Sequence, residues 1–296
     1  MTHEEFEKKY AEYLKIVEDR LEPRAKEVLP TSSEVGNAAR YSLLSGGKRI
    51  RAILLLATCE MMGGDYHAAA DLAVAVEMLH CYSLIHDDLP CMDNDDYRRG
   101  KPSCHKVYGE TTALLAGDAL QAAAFEVITY APLSILSRLG AVRELAMGSG
   151  DRGMVLGQEL DLYYESRNAT ASELRKTHMR KTGSLIHAAM QMGAWAAEAR
   201  PVDRYELENY AFNIGLAFQI VDDVLDATST TEELGKPVGS DSGNGKTTYI
   251  TLYGAEEAMK RASDLTRGAC RDMQNYFGDK ADFLVELANS LLMRRK

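Results

Sequence analysis

The stretch His80-Cys-Tyr-Ser-Leu-Ile-His-Asp-Asp-Leu-Pro-Cys-Met-Asp-Asn-Asp-Asp-Tyr-Arg-Arg-Gly100 decides how the rest of the chain is read. An apolar, helix-like run delivers Asp87 and Asp88. Pro90 interrupts it, and Asp93, Asp95 and Asp96 follow before Arg98 and Arg99. The acid pair falls where a helix ends. The macrodipole is negative there, so each carboxylate costs about 0.3–1 kcal/mol. Pro90 cannot sit inside a helix without removing a hydrogen bond. Like charge is therefore gathered where it repels itself and the backbone, and a cation relieves it. Carboxylate-rich, all-oxygen sites suit Mg²⁺, which takes one or two carboxylates plus substrate phosphates.

A second acidic cluster ends another apolar run, Phe218-Gln-Ile-Val-Asp-Asp-Val-Leu-Asp226. Asp222 and Asp226 are four residues apart and share a helix face. Two such clusters suggest carboxylates facing each other across one cavity, with metal between them. Earlier in the chain, Lys48-Arg49-Ile50-Arg51 follows Gly46-Gly47 and opens the apolar run Ala52 to Met62. Cations are unfavourable at a helix N-terminus. Three of them at a Gly-Gly junction suit an anion site, where backbone N–H groups and side chains converge. A surface basic patch is the plainer alternative for that motif alone.

Asp-Asp-x-x-x-x-Asp followed by Arg-Arg-Gly-Lys-Pro, with a later Asp-Asp-x-x-Asp, resembles the two aspartate-rich motifs of the trans-isoprenyl diphosphate synthases. The similarity runs from about Ala38 to the C-terminus. It is nearest to the bacterial-type farnesyl diphosphate synthases, with their geranylgeranyl relatives as the alternative and a terpene cyclase behind both. The resemblance implies a single large all-α bundle with the isoprenoid synthase fold, two facing Asp-rich motifs around a central cavity, and a homodimer. It implies that Asp87, Asp93 and Asp222, with Asp88 and Asp226, hold about three Mg²⁺ with the substrate diphosphate. Gly47, Lys48, Arg51, His80 and Arg99 would bind isopentenyl diphosphate. Arg98, Lys181, Thr182 and Gln219 would meet the allylic diphosphate and its developing cation, and Gln158 would line the cavity. An aromatic at Tyr82, five residues or about 7.5 Å before Asp87, beside the small Ser83, favours the farnesyl product.

The polar, Gly-rich segment 227–248 reads as a flap carrying Lys236 and Lys246 to the diphosphate, since long loops in compact domains are often functional lids. It is not a P-loop: Gly245-Lys246-Thr247 needs glycine at 240, which is Ser240, and no strand precedes it. Where the family often has proline after Tyr249, this chain has Ile250. The basic tail Arg294-Arg295-Lys296 is expected over the isopentenyl diphosphate site. Cys104 and His105, with His80, His86 and Cys91, lack the ligand spacing of a zinc site.

Composition agrees. Periodicity is helical almost throughout, with no convincing strand, so the 296 residues are read as one polyprenyl synthetase domain, 1–296. A net charge of −10 disfavours nucleic acid as a partner. No run approaches the roughly 18 uncharged apolar residues of a membrane span. Five scattered cysteines and a charged N-terminus without a signal core point to reduced thiols in the cytoplasm.

Overall fold

Apolar residues recurring every three or four positions become helices nearly everywhere in the computed structural model, which describes residues 1–165, 167–228 and 247–294. The elements are α1 (His3–Val28), α2 (Glu34–Leu43), α3 (Ile50–Met61), α4 (Ala70–Asp87), β1 (Tyr97–Arg98), β2 (Lys101–Pro102), α5 (Cys104–Tyr108), α6 (Glu110–Thr129), α7 (Ile135–Ser149), α8 (Met154–Glu165) and α9 (Ala171–His178). A π-helical turn (Met179–Gly183) precedes α10 (Ser184–Ala196) and α11 (Pro201–Thr228); then come α12 (Tyr249–Tyr253), α13 (Ala255–Phe277), a 3₁₀ turn (Gly278–Ala281) and α14 (Asp282–Leu292). The chain divides into two compact units, one of residues 10–143 and 192–198, the other of residues 1–9, 144–191 and 199–296.

The first unit is built on α4. This helix is apolar on every side, so it can only be buried, and it packs against α2, α3 and α6. Gly117 of α6 permits the close approach: a Cβ there would lie 2.1 Å from His86 Nε2 of α4. Two acids of α4 are buried, and each is answered by arginine. Asp71 accepts from Arg20 and Arg24 of α1 at 2.7–3.1 Å. Glu77 lies 3.4 Å from Arg49 Nη1. The buried stripe of α1 in this unit is Tyr13, Val17, Leu21 and Ala25. Tyr10 instead sends its hydroxyl to Lys48 O at 2.8 Å. The segment after the first acidic cluster, expected as loop, contains a short hairpin. Arg99 and Gly100 both have positive φ (54° and 74°), as a two-residue primed turn requires.

In the second unit, α11 packs against α13, α12, α14 and the π-helical turn. Leu216, Ile220, Val221 and Val224 of α11 join Leu174, Tyr249, Ala258 and Ala262 in its core. Helix α9 starts with a capping box: Thr170 Oγ1 accepts from Glu173 N, and Glu173 accepts from Thr170 N. No helix among the described residues is long and apolar enough to cross a membrane.

Candidate active site

The first unit carries the first acidic cluster. Helix α4 ends at Asp87, and beyond Pro90 the chain folds back: Asp93 N donates to Asp87 O at 2.8 Å and Asn94 N to Leu89 O at 3.2 Å. Asn94 accommodates the reversal with φ of 54°. Asp87 is half-buried and Asp93 exposed, so both are oxygen donors that water can reach. Asp88 differs. It is buried, and Arg98 Nε donates to its Oδ1 at 3.0 Å, with Nη2 bonded to the same oxygen. Arg98 also reaches Asp95 at 3.2 Å. Burial pushes the Asp88 carboxyl up, against the pull of Arg98. Asp88 therefore ties the hairpin to the helix end, and Arg98 is its partner here. Both had been expected on metal or diphosphate.

The basic residues of this unit separate into two kinds. Arg49, in the left-handed region with φ of 50°, turns inward to Glu18, Glu77 and Leu43 O. Gly47, Arg51, His80 and Arg99 come together instead. Arg51 Nη1 lies 3.4 Å from His80 Nε2, and Arg99 bonds Gly46 O. Gly47 has φ of 136°, and a Cβ there would lie 2.9 Å from the Arg99 guanidinium carbon. Lys48 is exposed at the edge of this group. Burial, then the charges of Arg51, Arg99 and their neighbours, hold His80 well below the usual imidazole range. It is thus a neutral hydrogen-bonding group in a cationic nest suited to an anion.

Tyr82 is buried one turn before the acids, its ring edge-to-face with His86 at 5.6 Å. Ser83 returns its hydroxyl to His80 O at 2.9 Å. The other histidines of the stretch have separate partners: His86 sits 2.9 Å from Leu114 O, and His105 3.1 Å from Ser103 Oγ. Burial pushes the Cys81 thiol up to about 12, which keeps it protonated and unreactive.

The second unit carries the other cluster. Lys181 and Thr182 lie on the π-helical turn, a feature frequent at functional sites. Gly157 of α8 makes room for it: a Cβ there would lie 2.0 Å from Lys181 N. Asp161, three residues beyond Gln158, accepts from Lys181 Nζ at 2.6 Å. Gln158 is half-buried, with its amide nitrogen enclosed. Thr182 Oγ1 donates to Gln219 Oε1 at 2.9 Å. Asp222 is half-exposed and accepts from Arg294 at 2.7 Å. Arg294 also covers the Phe218 ring at 3.7 Å. The tail cation thus sits on the acid where a metal cation was expected. Asp226 is buried one turn on. Lys236, Lys246, Arg295 and Lys296 lie outside the described residues. Sequence reasoning missed Asp161, although it sits in the same stretch as Gln158, and missed that Arg294 meets Asp222.

Asp87 and Asp93 in the first unit and Asp222 in the second are water-accessible carboxylates, the donor type that suits Mg²⁺, although no three acid, imidazole or thiol side chains among the described residues are gathered closely enough to hold an ion by themselves. Residues 32–281 match the model of the polyprenyl synthetase family. A geranylgeranyl diphosphate synthase of Cyanophora paradoxa is 46% identical, over 94% of this chain and 93% of that protein. Geranylgeranyl pyrophosphate synthase 4 of Arabidopsis thaliana is 45% identical over 88% of this chain and 71% of its own length. The crystal structure of a geranyltransferase from Legionella pneumophila superimposes with a TM-score of 0.87, at 36% identity, over 99% of this chain and 98% of that one. A farnesyl/geranylfarnesyl diphosphate synthase (FPP/GFPP) from Zymomonas mobilis gives 0.82 at 35% identity, over 96% and 99%. With helices throughout, both acidic motifs and the cationic nest in place, the chain belongs to the polyprenyl synthetase family of trans-prenyltransferases and has their all-α isoprenoid synthase fold.

Proposed function

We propose that this protein condenses isopentenyl diphosphate head-to-tail with allylic diphosphates, as one polyprenyl synthetase domain, and that its product is geranylgeranyl diphosphate. The observation that carries the reading is the presence of both acidic clusters and the Gly47–Arg51–His80–Arg99 nest in one chain. A terpene cyclase has no use for that nest. The names of the sequence relatives favour the geranylgeranyl product over the farnesyl one expected from Tyr82. The farnesyl reading stays second because Tyr82 is a buried aromatic at the place where such a residue would floor the pocket.

The chemistry sets three tasks. The allylic C–O bond breaks and the diphosphate leaves with the electron pair. The alkene of isopentenyl diphosphate then attacks the allylic carbon, and a proton is lost to re-form a double bond, taken up by the released diphosphate. Magnesium, when bound, neutralises charge on the leaving diphosphate. In our reading Asp87 and Asp93 of the first unit hold it, as does Asp222 of the second, with Asp226 in support. Lys181 adds a donor to the leaving group, and Lys236 and Lys246 are assigned there too. Arg51, His80, Arg99 and Lys48 fix isopentenyl diphosphate so that its alkene faces the allylic carbon. The neutral His80 donates or accepts a hydrogen bond without carrying charge. Thr182 and Gln219 present oxygen atoms to the developing cation.

Incubation with Mg²⁺, isopentenyl diphosphate and, in turn, dimethylallyl, geranyl and farnesyl diphosphate tests this. Farnesyl diphosphate should be elongated once. Accumulation of farnesyl diphosphate, with no use of added farnesyl diphosphate, would select the second reading; no condensation at all would end both. Tyr82→Ala is expected to lengthen the product by at least one isoprene unit, because removing the buried ring frees its volume. An unchanged product profile removes Tyr82 from chain-length control.

We also propose a cytoplasmic homodimer. Ile135, Leu136 and Leu139 of α7 are 74%, 71% and 62% exposed, and an apolar row of that kind marks an interaction surface. Sedimentation giving a monomer mass at micromolar concentration would reject the dimer.

A further inference from the structure

Asp223 stands between the two acids assigned to metal, yet it points elsewhere. About 100° around α11 from Asp222, its side chain is 3% exposed. It gathers three groups. Gln219 Nε2 donates to its Oδ1 at 3.3 Å. Tyr249 N, the first residue of α12, donates to its Oδ2 at 3.1 Å. His178 Nε2 lies 3.5 Å from the same oxygen, and the His178 ring stacks on the Tyr249 ring at 5.7 Å. His178 is the last residue before the π-helical turn that carries Lys181 and Thr182. One carboxylate thus reaches α9 at its junction with that turn, α11, and α12.

The consequence follows from donor and acceptor roles. An ionised carboxylate only accepts. It therefore turns the Gln219 amide so that the NH₂ faces Asp223 and the carbonyl faces Thr182. The Thr182 hydroxyl donates to that carbonyl at 2.9 Å. Without the carboxylate, nothing on this path distinguishes the two ends of the Gln219 amide.

We propose that Asp223 is a positioning residue rather than a metal ligand: it sets the Gln219 amide, and through it Thr182, for the allylic substrate, and it holds α12 to the same point. The proposal rests on the prenyltransferase reading above. Its failure is distinguishable, because that reading fails with the unaltered protein and this one only in variants.

The test compares Asp223→Asn with Asp222→Asn. Asparagine keeps the shape, but its NH₂ faces one of the two donors, so either the Gln219 or the Tyr249 bond is lost. For Asp223→Asn we expect kcat to fall about 10–100-fold, the cost of a misplaced reacting group. KM for isopentenyl diphosphate and the Mg²⁺ concentration for half-maximal rate should stay within about twofold of the unaltered protein. Asp222→Asn should instead raise the Mg²⁺ requirement at least about tenfold. Calorimetric titration of inorganic diphosphate with Mg²⁺ gives the same contrast without turnover. His178→Phe, which keeps a ring against Tyr249, should lower kcat with the Mg²⁺ requirement unchanged, and it serves if Asp223→Asn does not fold. Three results overturn the proposal: a Mg²⁺ shift in Asp223→Asn matching that of Asp222→Asn, unchanged kcat in the variants that fold, or a lower melting temperature with normal kcat per folded molecule.

Discussion

Asp222→Asn is expected to lower kcat by about 10³-fold or more while leaving the fold intact. The exchange keeps the volume of the side chain and removes its charge. Loss of one preorganised donor at a developing charge costs about 10²–10³-fold, and a metal ion supplies several kcal/mol beyond such a donor. Asp222 is half-exposed and already holds a cation, the Arg294 guanidinium at 2.7 Å, so its carboxylate is placed to accept positive charge. Asp87→Asn should have an effect of similar size. Initial rates at saturating isopentenyl and allylic diphosphate, with circular dichroism to confirm folding, measure it. Turnover within about tenfold of the unaltered protein would remove Asp222 from the charge-neutralising set.

The largest effect on stability is expected at Asp71, in the first turn of α4, at the opposite end of that helix from Asp87. Its side chain is fully buried and accepts from two arginines of α1, one of which, Arg24, is itself 15% exposed. Removing one partner of a buried pair costs about 3–5 kcal/mol, because the other charge is stranded. Arg20 is 40% exposed and can return to water, so Asp71→Asn should cost about 3 kcal/mol, the lower end of that range. A lower denaturant midpoint with an unchanged slope reads it out. The pH dependence has a definite sign. Burial would raise the Asp71 carboxyl, but the hydrogen bonds from Arg20 and Arg24 outweigh it and hold it below its ordinary 3.8. A depressed carboxyl gives stability that is present above the unfolded value and lost as pH falls through the folded value. The difference between Asp71→Asn and the unaltered protein should therefore be full at neutral pH and shrink below about pH 4. A difference that persists undiminished in acid would mean that the ion pair is not its source.

Much of this molecule can be read from its residues, because the strongest signals are local. The apolar run before Asp87 fixes α4, and the loss of helix at Pro90 fixes its end. Two acidic clusters and the Gly-Gly-Lys-Arg-x-Arg motif identify the candidate chemistry. Pairings across the fold were not legible. Nothing in the spacing indicates that Asp88 takes Arg98, that Arg49 turns inward while Arg51 turns to His80, or that Asp161 holds Lys181. Those outcomes depend on which way a short hairpin with two left-handed residues bends, and on a glycine, Gly157, that lets α8 approach the π-helical turn. The roles of His178 and Asp223 depend on α9, α11 and α12 meeting, a non-local event. Product length is the hardest reading. One aromatic side chain, Tyr82, argues for a shorter product than the sequence relatives do, and a pocket floor is a property of packing around it rather than of its identity.

Calorimetry of inorganic diphosphate binding with Mg²⁺ tests most directly whether Asp87 and Asp222 each carry metal-dependent diphosphate binding. The unaltered protein, Asp87→Asn, Asp222→Asn and the double variant complete a cycle. Each single exchange should weaken Mg²⁺-dependent binding at least about tenfold. The double exchange should abolish Mg²⁺-dependent binding. Either single variant binding as tightly as the unaltered protein would contradict it.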